Sequence, residues 1–375
     1  MLEFATYYHS FLMFIVLLLT IHKFTVLNKI EGYDVLKRKD NVRTMQLFLL
    51  FFVFLYGFRP LASCFGDTMN YVRSYQRMHD FGIYNVFGDL KADKDVLFNT
   101  LMFSCAQVMD VHIFFFIIIL LYIVPMYLGC QKLDRTHVST MMLFCIGCFI
   151  FYASAVNGIR NGMACSLIIL ALACLCKGQM FGAIVISLIA VGCHKSTILP
   201  VACMFFVRYV KNPHLMFLSW IVAILMSLSF GDYISNLISM SGVDPRIAQN
   251  FEVNSKGVGD VDGWIIETRF RWDFLLYSFM PILLGWYAIF KRKVYNNTYL
   301  MLLGTYIYAN AFWVLAIRAI FSNRIANLSW FLYPIVLAYP LLNLPIFKKK
   351  HSKKTAWILL AHFGFTFVMF LLGKS

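Results

Sequence analysis

The sequence predicts an all-α, polytopic integral membrane protein with about twelve transmembrane helices, both termini extracytoplasmic and two long outer loops. Three observations carry that prediction. Hydrophobic residues make up 61% of the 375-residue chain and charged residues only 14%, with a mean hydropathy of +0.72. A soluble domain carries roughly 25% charge and could not build its surface from this composition. The apolar residues fall in runs near membrane length, since a crossing needs roughly 20 residues at about 1.5 Å each. The Lys and Arg residues lie unevenly between those runs, which sets orientation. The chain reads as one transmembrane domain, residues 1–375.

The first run, 6–27, reads as a retained span. Glu3 stands where a secretory signal would be basic, His22-Lys23 closes the inner end, and no Ala-x-Ala cleavage site is present. A second span is expected at 44–64, followed by an outer loop over 59–110. Within that loop Val96–Met109 is apolar but short and ends at Asp110, so it reads as an interfacial or re-entrant helix. Further spans are expected at 111–129, 138–156, 160–176, 180–194, 196–210 and 214–231. A second outer loop covers 232–272, and the last spans are 273–290, 298–317, 326–344 and 355–372.

The loops 28–44, 129–137, 177–179, 208–213, 291–297 and 345–354 hold 18 Lys/Arg against four acids. The opposite face holds 14 of each. By the positive-inside rule the first set is cytoplasmic. The net charge of +15 is thus a topology signal, with Lys348-Lys349-Lys350 and Lys353-Lys354 its strongest piece, and no nucleic-acid partner is needed to explain it. The ten cysteines sit mostly inside spans without zinc spacing and read as small core residues.

Function is expected on the outer face. Long loops there need a reason, whereas the cytoplasmic loops are short and uniformly basic. Two apolar runs, bounded by Asn157-Gly158-Ile159-Arg160-Asn161-Gly162 and by Cys193-His194-Lys195-Ser196, return the chain to one face, so Arg160 and His194-Lys195 should adjoin. With Arg59, Arg318 and Arg324 they place cations where the positive-inside bias disfavours them, which calls for specific partners. The alternatives are snorkelling to headgroups or pairing with Asp67, Asp110 or Asp273. Guanidinium forks and ammonium groups suit a lipid-linked phosphate or pyrophosphate. His194 can act as a general base or as a further donor. Asp93-Lys94-Asp95 and Asp260-Val261-Asp262 have the spacing of divalent-metal carboxylates, but Lys94 weakens the first and no phosphate-binding glycine loop accompanies either.

Four segments, in order along residues 50–345, resemble the EpsG-like branch of the Wzy-type polysaccharide polymerases. They are Gly57-Phe58-Arg59 with Gly66-Asp67-Thr68 and Tyr71; Gly158-Ile159-Arg160-Asn161-Gly162-Met163-Ala164; Ala190-Val191-Gly192-Cys193-His194-Lys195-Ser196-Thr197-Ile198-Leu199-Pro200; and Phe321-Ser322-Asn323-Arg324-Ile325-Ala326. Asn161 stands where the family usually has Gln and Thr68 where it often has Asp, the acid being displaced to Asp67. The resemblance implies a GT-C-like membrane glycosyltransferase of the bacterial inner membrane, with its active site on the periplasmic face. It would join oligosaccharide repeat units carried on polyprenyl (undecaprenyl) pyrophosphate into O-antigen, capsule or exopolysaccharide. A chain-length regulator and a flippase would be its partners.

On that reading Arg160, Lys195, Arg318 and Arg324 meet the donor pyrophosphate, with Arg59 and Asn323 among the substrate contacts. His194, or an outer acid (Asp67 or Glu267), deprotonates the acceptor hydroxyl. Tyr71, Trp264 and Arg269 contact the glycan. Transfer would invert, and the reading calls for no nucleotide, no metal and no other cofactor. Three competing functions make different demands, one of them a non-catalytic scaffold in a glycan-assembly complex, which would leave the outer cations without a ligand. A ligase onto a lipid acceptor would use much the same site. A flippase would need charge along an internal path and repeated halves, and neither is visible.

Overall fold

The computed structural model describes residues 2–92, 95–240, 259–261, 264–266, 270–319 and 322–372. It is helical apart from a short antiparallel hairpin pairing β1 (Gly259–Val261) with β2 (Trp264–Ile266). Among the described residues, eight helices are long and apolar enough to cross a membrane, and three shorter apolar helices accompany them. This is a multi-pass membrane protein. The chain clusters into two compact units, residues 1–198 with 338–375, and residues 199–337.

The first unit contains α1 (Leu2–Lys29), α2 (Arg43–Gly57), α3 (Thr68–Ala92), α4 (Val96–Val108), α5 (Val111–Leu133), α6 (Val138–Ile146), α7 (Phe151–Val156), α8 (Ile159–Cys176) and α9 (Met180–Cys193). The expected outer loop 59–110 is therefore folded, not open. The reason lies in its periodicity: Thr68, Val72 and Tyr75 are buried at a helical spacing, while Asn70, Arg73 and Gln76 face out. Val72 and Tyr75 join Phe98 and Met102 of α4, Phe114 of α5 and Met163 of α8 in one apolar cluster.

The run expected to span 138–156 breaks instead into α6 and α7. A break inside apolar surroundings strands backbone carbonyls, which neighbours must satisfy. Here His362 Nε2 lies 2.9 Å from the Phe144 carbonyl, Thr366 donates to Gly147 O at 2.8 Å, and Tyr122 donates to Phe151 O at 3.2 Å. Close approach elsewhere depends on glycine. A Cβ on Gly129 of α5 would sit 2.7 Å from Ile169 of α8, and one on Gly162 would sit 2.5 Å from the Ser154 carbonyl.

The basic loops of this unit gather at one end. Asp40 N–H donates to Thr136 O, Lys132 to Gln179 at 2.5 Å, and the Ser352 hydroxyl to Gly32 O at 2.9 Å. Charge counting had grouped these four loops on one face, and their contacts agree. At the other end His9 stacks on Tyr152 at 3.7 Å and meets Phe370 at 4.5 Å, which brings the start of α1 beside the end of the last helix.

The second unit runs from α10 (Ile198–Tyr209) and α11 (Pro213–Met240, kinked at Phe230) through the hairpin to α12 (Trp272–Trp286), which ends in a π-turn. It continues with α13 (Asn297–Leu315) and α14 (Ser322–Trp330). Then α15 (Tyr333–Asn343) leads back to the first unit, whose last helix is α16 (His351–Leu371). The core of the second unit is pinned by side-chain hydrogen bonds. Asn310 accepts from Trp220 Nε1 at 2.9 Å and donates to Ser278 and Ser329, while Trp330 Nε1 donates to Ser278 Oγ at 2.7 Å. In an apolar core such bonds fix register, because breaking one leaves a buried polar group without water.

Candidate functional site

At the end of the first unit away from the basic loops, the start of α8 and the segment after α9 converge on Asp95. This residue precedes α4 in the N-cap position, where aspartate commonly accepts a hydrogen bond from its own helix. Asp95 makes no such cap bond. Its carboxylate turns to other partners. Oδ2 accepts from Arg160 Nη1 at 2.9 Å and faces His194 Nδ1 at 3.3 Å, and Oδ1 accepts from the Lys195 backbone N–H at 2.9 Å. Asp95 is only 6% exposed, whereas the Arg160 and His194 side chains are 30% and 24% exposed.

Burial alone would raise the Asp95 carboxyl. The hydrogen bond and charge of His194, the Lys195 amide and Arg160 outweigh it, so its pKa falls below the ordinary carboxylate value. An ionised Asp95 accepts only, which makes His194 Nδ1 the donor; in the neutral ring the lone pair is then on Nε2. No described residue takes Nε2 as a partner. The arrangement is a carboxylate-held imidazole whose second nitrogen is open to a reactant.

Packing sets this geometry. Arg160 opens α8 and His194 follows α9, and the two antiparallel helices return the chain to the same end. A Cβ on Gly192, two residues before His194, would lie 2.5 Å from Leu97 Cδ1, two residues after Asp95. Glycine there lets α4 and α9 close together. Arg160 also donates from Nε to Tyr71 OH at 3.4 Å, and its guanidinium carbon lies 5.7 Å from both the Tyr71 and Phe98 ring centres. Burial raises the Tyr71 phenol, with Arg160 opposing, so Tyr71 is neutral and serves as a wall and a hydrogen-bond partner.

The remaining predicted residues separate by position. Arg59, expected at the substrate, is fully buried: it donates to Tyr56 O at 2.7 Å and to Thr68 Oγ1 at 3.2 Å, and lies 4.6 Å from the Phe115 ring centre. Burial pushes its pKa down to about 10, still well above neutral. It holds the corner between α2 and α3. Thr68, where the family often has Asp, supplies the neutral oxygen for that contact. Asp67 donates its backbone N–H to Asn157 Oδ1 at 3.0 Å and accepts from Asn70 at 3.2 Å. Gly66 beside it has φ +59, and a Cβ there would lie 2.6 Å from Asn157 Oδ1. Asn157 thereby ties the start of α8 to the start of α3.

Lys195 is exposed, with its amide rather than its ammonium on Asp95. Arg318, Asn323 and Arg324 belong to the second unit. There Arg318 is half-buried against the Gly231 backbone, and Asn323 and Arg324 are exposed in the first turn of α14. Glu267 and Arg269 lie outside the described residues, as do Asp93, Lys94 and Asp262. Trp264 is described only as backbone in β2. Of the pairings considered from sequence, Asp273 is taken by Arg271 in a two-point contact at 2.9 and 2.7 Å, and Asp110 caps α5 through His112 N–H.

Sequence reasoning placed Arg160 beside His194 but missed Asp95 as their common partner, reading it as half of a metal-spaced pair. One local signal was available: an acid directly before an apolar helical run, at the start of a short helix. Among the described residues no group of three or more His, Cys, Asp or Glu could hold a metal. Asp95 itself is surrounded by N–H donors.

With this geometry in place, comparison with known families gives one result. A model of the EpsG family matches residues 42–375. The chain belongs to the EpsG family. The match runs from α2 to the C-terminus and takes in all four motif segments and every residue of the Asp95 cluster. No curated protein and no solved structure matches the chain.

Proposed function

We propose that this EpsG-family protein polymerises glycan repeat units carried on polyprenyl pyrophosphate, at the extracytoplasmic face of a bacterial inner membrane. Family membership and the multi-pass fold support a membrane role in polysaccharide synthesis. The observation that carries the chemistry is Asp95, one buried carboxylate holding Arg160, His194 and the Lys195 amide together beneath half-exposed side chains.

The acceptor hydroxyl oxygen attacks the anomeric carbon of the donor sugar from the face opposite the pyrophosphate. The carbon–oxygen bond to the pyrophosphate breaks and its electron pair leaves with the phosphate, so configuration inverts. The hydroxyl proton passes to His194 Nε2, and Asp95 stabilises the imidazolium that forms. A base of this kind contributes typically about 10²–10⁴-fold. Arg160 and the Lys195 ammonium face the charge that develops on the leaving pyrophosphate, where one well-placed donor is worth about 10²–10³-fold. Arg59, buried behind them, acts by positioning Tyr71 through the α2–α3 corner. Asp67 and Glu267 are the alternative bases, and the Asp95 contact favours His194 over both.

The test is extension of a purified polyprenyl-pyrophosphate-linked repeat unit by the purified full-length protein. The wild type should produce a ladder of repeat lengths, and His194→Ala should leave single repeats while remaining folded in detergent. An unchanged ladder from His194→Ala would remove it as the base. Transfer of one glycan onto a lipid acceptor, without a ladder, would identify a ligase instead.

A further inference from the structure

The basic end of the first unit contains a cavity of about 270 Å³ that the polymerisation reading does not use. One wall is a single face of α1, where Leu19, His22, Lys23, Val26 and Leu27 recur at helical spacing, with Ile30 just past the helix end. Met45 of α2 and Leu143 of α6 continue its apolar side, and the exposed Arg38, Lys39 and His22 complete its lining. The charges are arranged unequally. Lys23 pairs with Asp40, whose second oxygen accepts from Thr140 N–H at 2.7 Å and from its hydroxyl at 2.6 Å. That acid is fully engaged. Arg38 and Lys39 are exposed and have no side-chain partner among the described residues.

The cavity thus joins an apolar wall along a membrane helix to two uncompensated cations at the helix end. We propose that it is a binding site for an anionic phospholipid, with the phosphate on Arg38 and Lys39, His22 adding a donor, and an acyl chain along Leu19 and Val26. Basic pockets between membrane helices bind such headgroups, and each cation near an anionic membrane surface strengthens the attraction about fivefold. Lys23–Asp40–Thr140 forms a fixed floor that leaves the Arg38 and Lys39 charges for the ligand. This assignment is independent of the chemistry at Asp95.

Native mass spectrometry of the purified full chain, titrated with phosphatidylglycerol and with phosphatidylcholine, tests it. The wild type should retain phosphatidylglycerol at least about fivefold better. Arg38→Gln combined with Lys39→Gln should remove most of that preference, and Val26→Phe should weaken it by filling the apolar wall. Lys177→Gln with Lys349→Gln removes the same charge outside the cavity and should leave the preference intact. Equal losses from both double variants would reduce the effect to net charge and overturn the site. Displacement of the lipid by millimolar inorganic phosphate would assign the cavity to free phosphate and overturn the lipid. Failure here would leave the polymerase assay untouched.

Discussion

Two buried aspartates at opposite ends of the first unit, Asp134 and Asp95, each hold a histidine, and the two pairs differ in what holds the second ring nitrogen. At the basic end His137 Nδ1 lies 2.7 Å from Asp134, Nε2 lies 2.7 Å from the Val35 carbonyl, and the two side chains are 3% and 5% exposed. Both acceptors lack a proton, so His137 donates twice and is an imidazolium. Asn343 donates to the same Asp134 oxygen at 2.9 Å. At the other end His194 shares Asp95 with Arg160 and leaves Nε2 open. On the proposed reading, the same residue pair is a clasp in one place and a base in the other. Both ring nitrogens are engaged at His137, whereas at His194 one has no partner among the described residues.

The sharpest way to break the contrast is to remove the shared carboxylate. Asp95→Asn keeps the shape but loses the charge that orients His194 and balances Arg160, and polymer extension should fall about 10³-fold or more. Single-turnover extension by the folded variant measures it, and a loss under tenfold would reduce Asp95 to a structural role. Next is the pair of histidine exchanges. His194→Gln should lower the extension rate about 10²–10³-fold with little change in thermal stability. His137→Gln should do the reverse, destabilising by about 1–3 kcal/mol because Asp134 and the Val35 carbonyl lose donors. If both exchanges moved the same observable, the two pairs would not differ in kind.

Stability should also follow pH through the clasp. Burial lowers the His137 pKa, but the Asp134 hydrogen bond and charge and the Val35 carbonyl outweigh it, so the folded value lies above 6.5. That contribution is complete below pH 6.5 and is lost as pH rises through the folded value. Asp134 is opposed by burial yet held below 3.8 by His137, the Thr136 amide and Asn343, so its contribution is present above about pH 4 and lost as pH falls through the folded value. Melting temperature should therefore peak between about pH 4 and 6.5, and His137→Gln should flatten the alkaline limb. An alkaline limb unchanged in His137→Gln would count against the doubly donating ring. The smallest effect is expected from Arg160→Lys. The compact ammonium keeps charge but loses the fork that reaches Asp95 and Tyr71 together, and a rise of about tenfold in donor KM should accompany a smaller fall in kcat. Equal KM values would show that Arg160 serves Asp95 alone.

Much of this was legible in the residues. Low charge and long apolar runs specify membrane helices whatever the packing, because a span must bury its own backbone polar groups. Lys/Arg counting correctly grouped the loops that meet through Asp40, Thr136, Gln179 and Ser352. Other features depended on partners far along the chain. The break between α6 and α7 is tolerated only because His362 and Thr366 arrive from α16 to accept the role of lost helix donors. Arg59 looked like an outer cation, yet Tyr56, Thr68 and Phe115 enclose it.

Composition and periodicity therefore determined that the chain crosses a membrane and that Arg160 adjoins His194, since these follow from local hydrophobicity and from counting crossings, but not the number of spans or the breaks within them. Tertiary structure decided which carboxylate serves them. Asp95 lies 65 residues from Arg160 and 99 from His194 along the chain, and no spacing rule joins residues so separated. Only the close approach of α4 and α9 over Gly192 brings their charges within hydrogen-bonding distance.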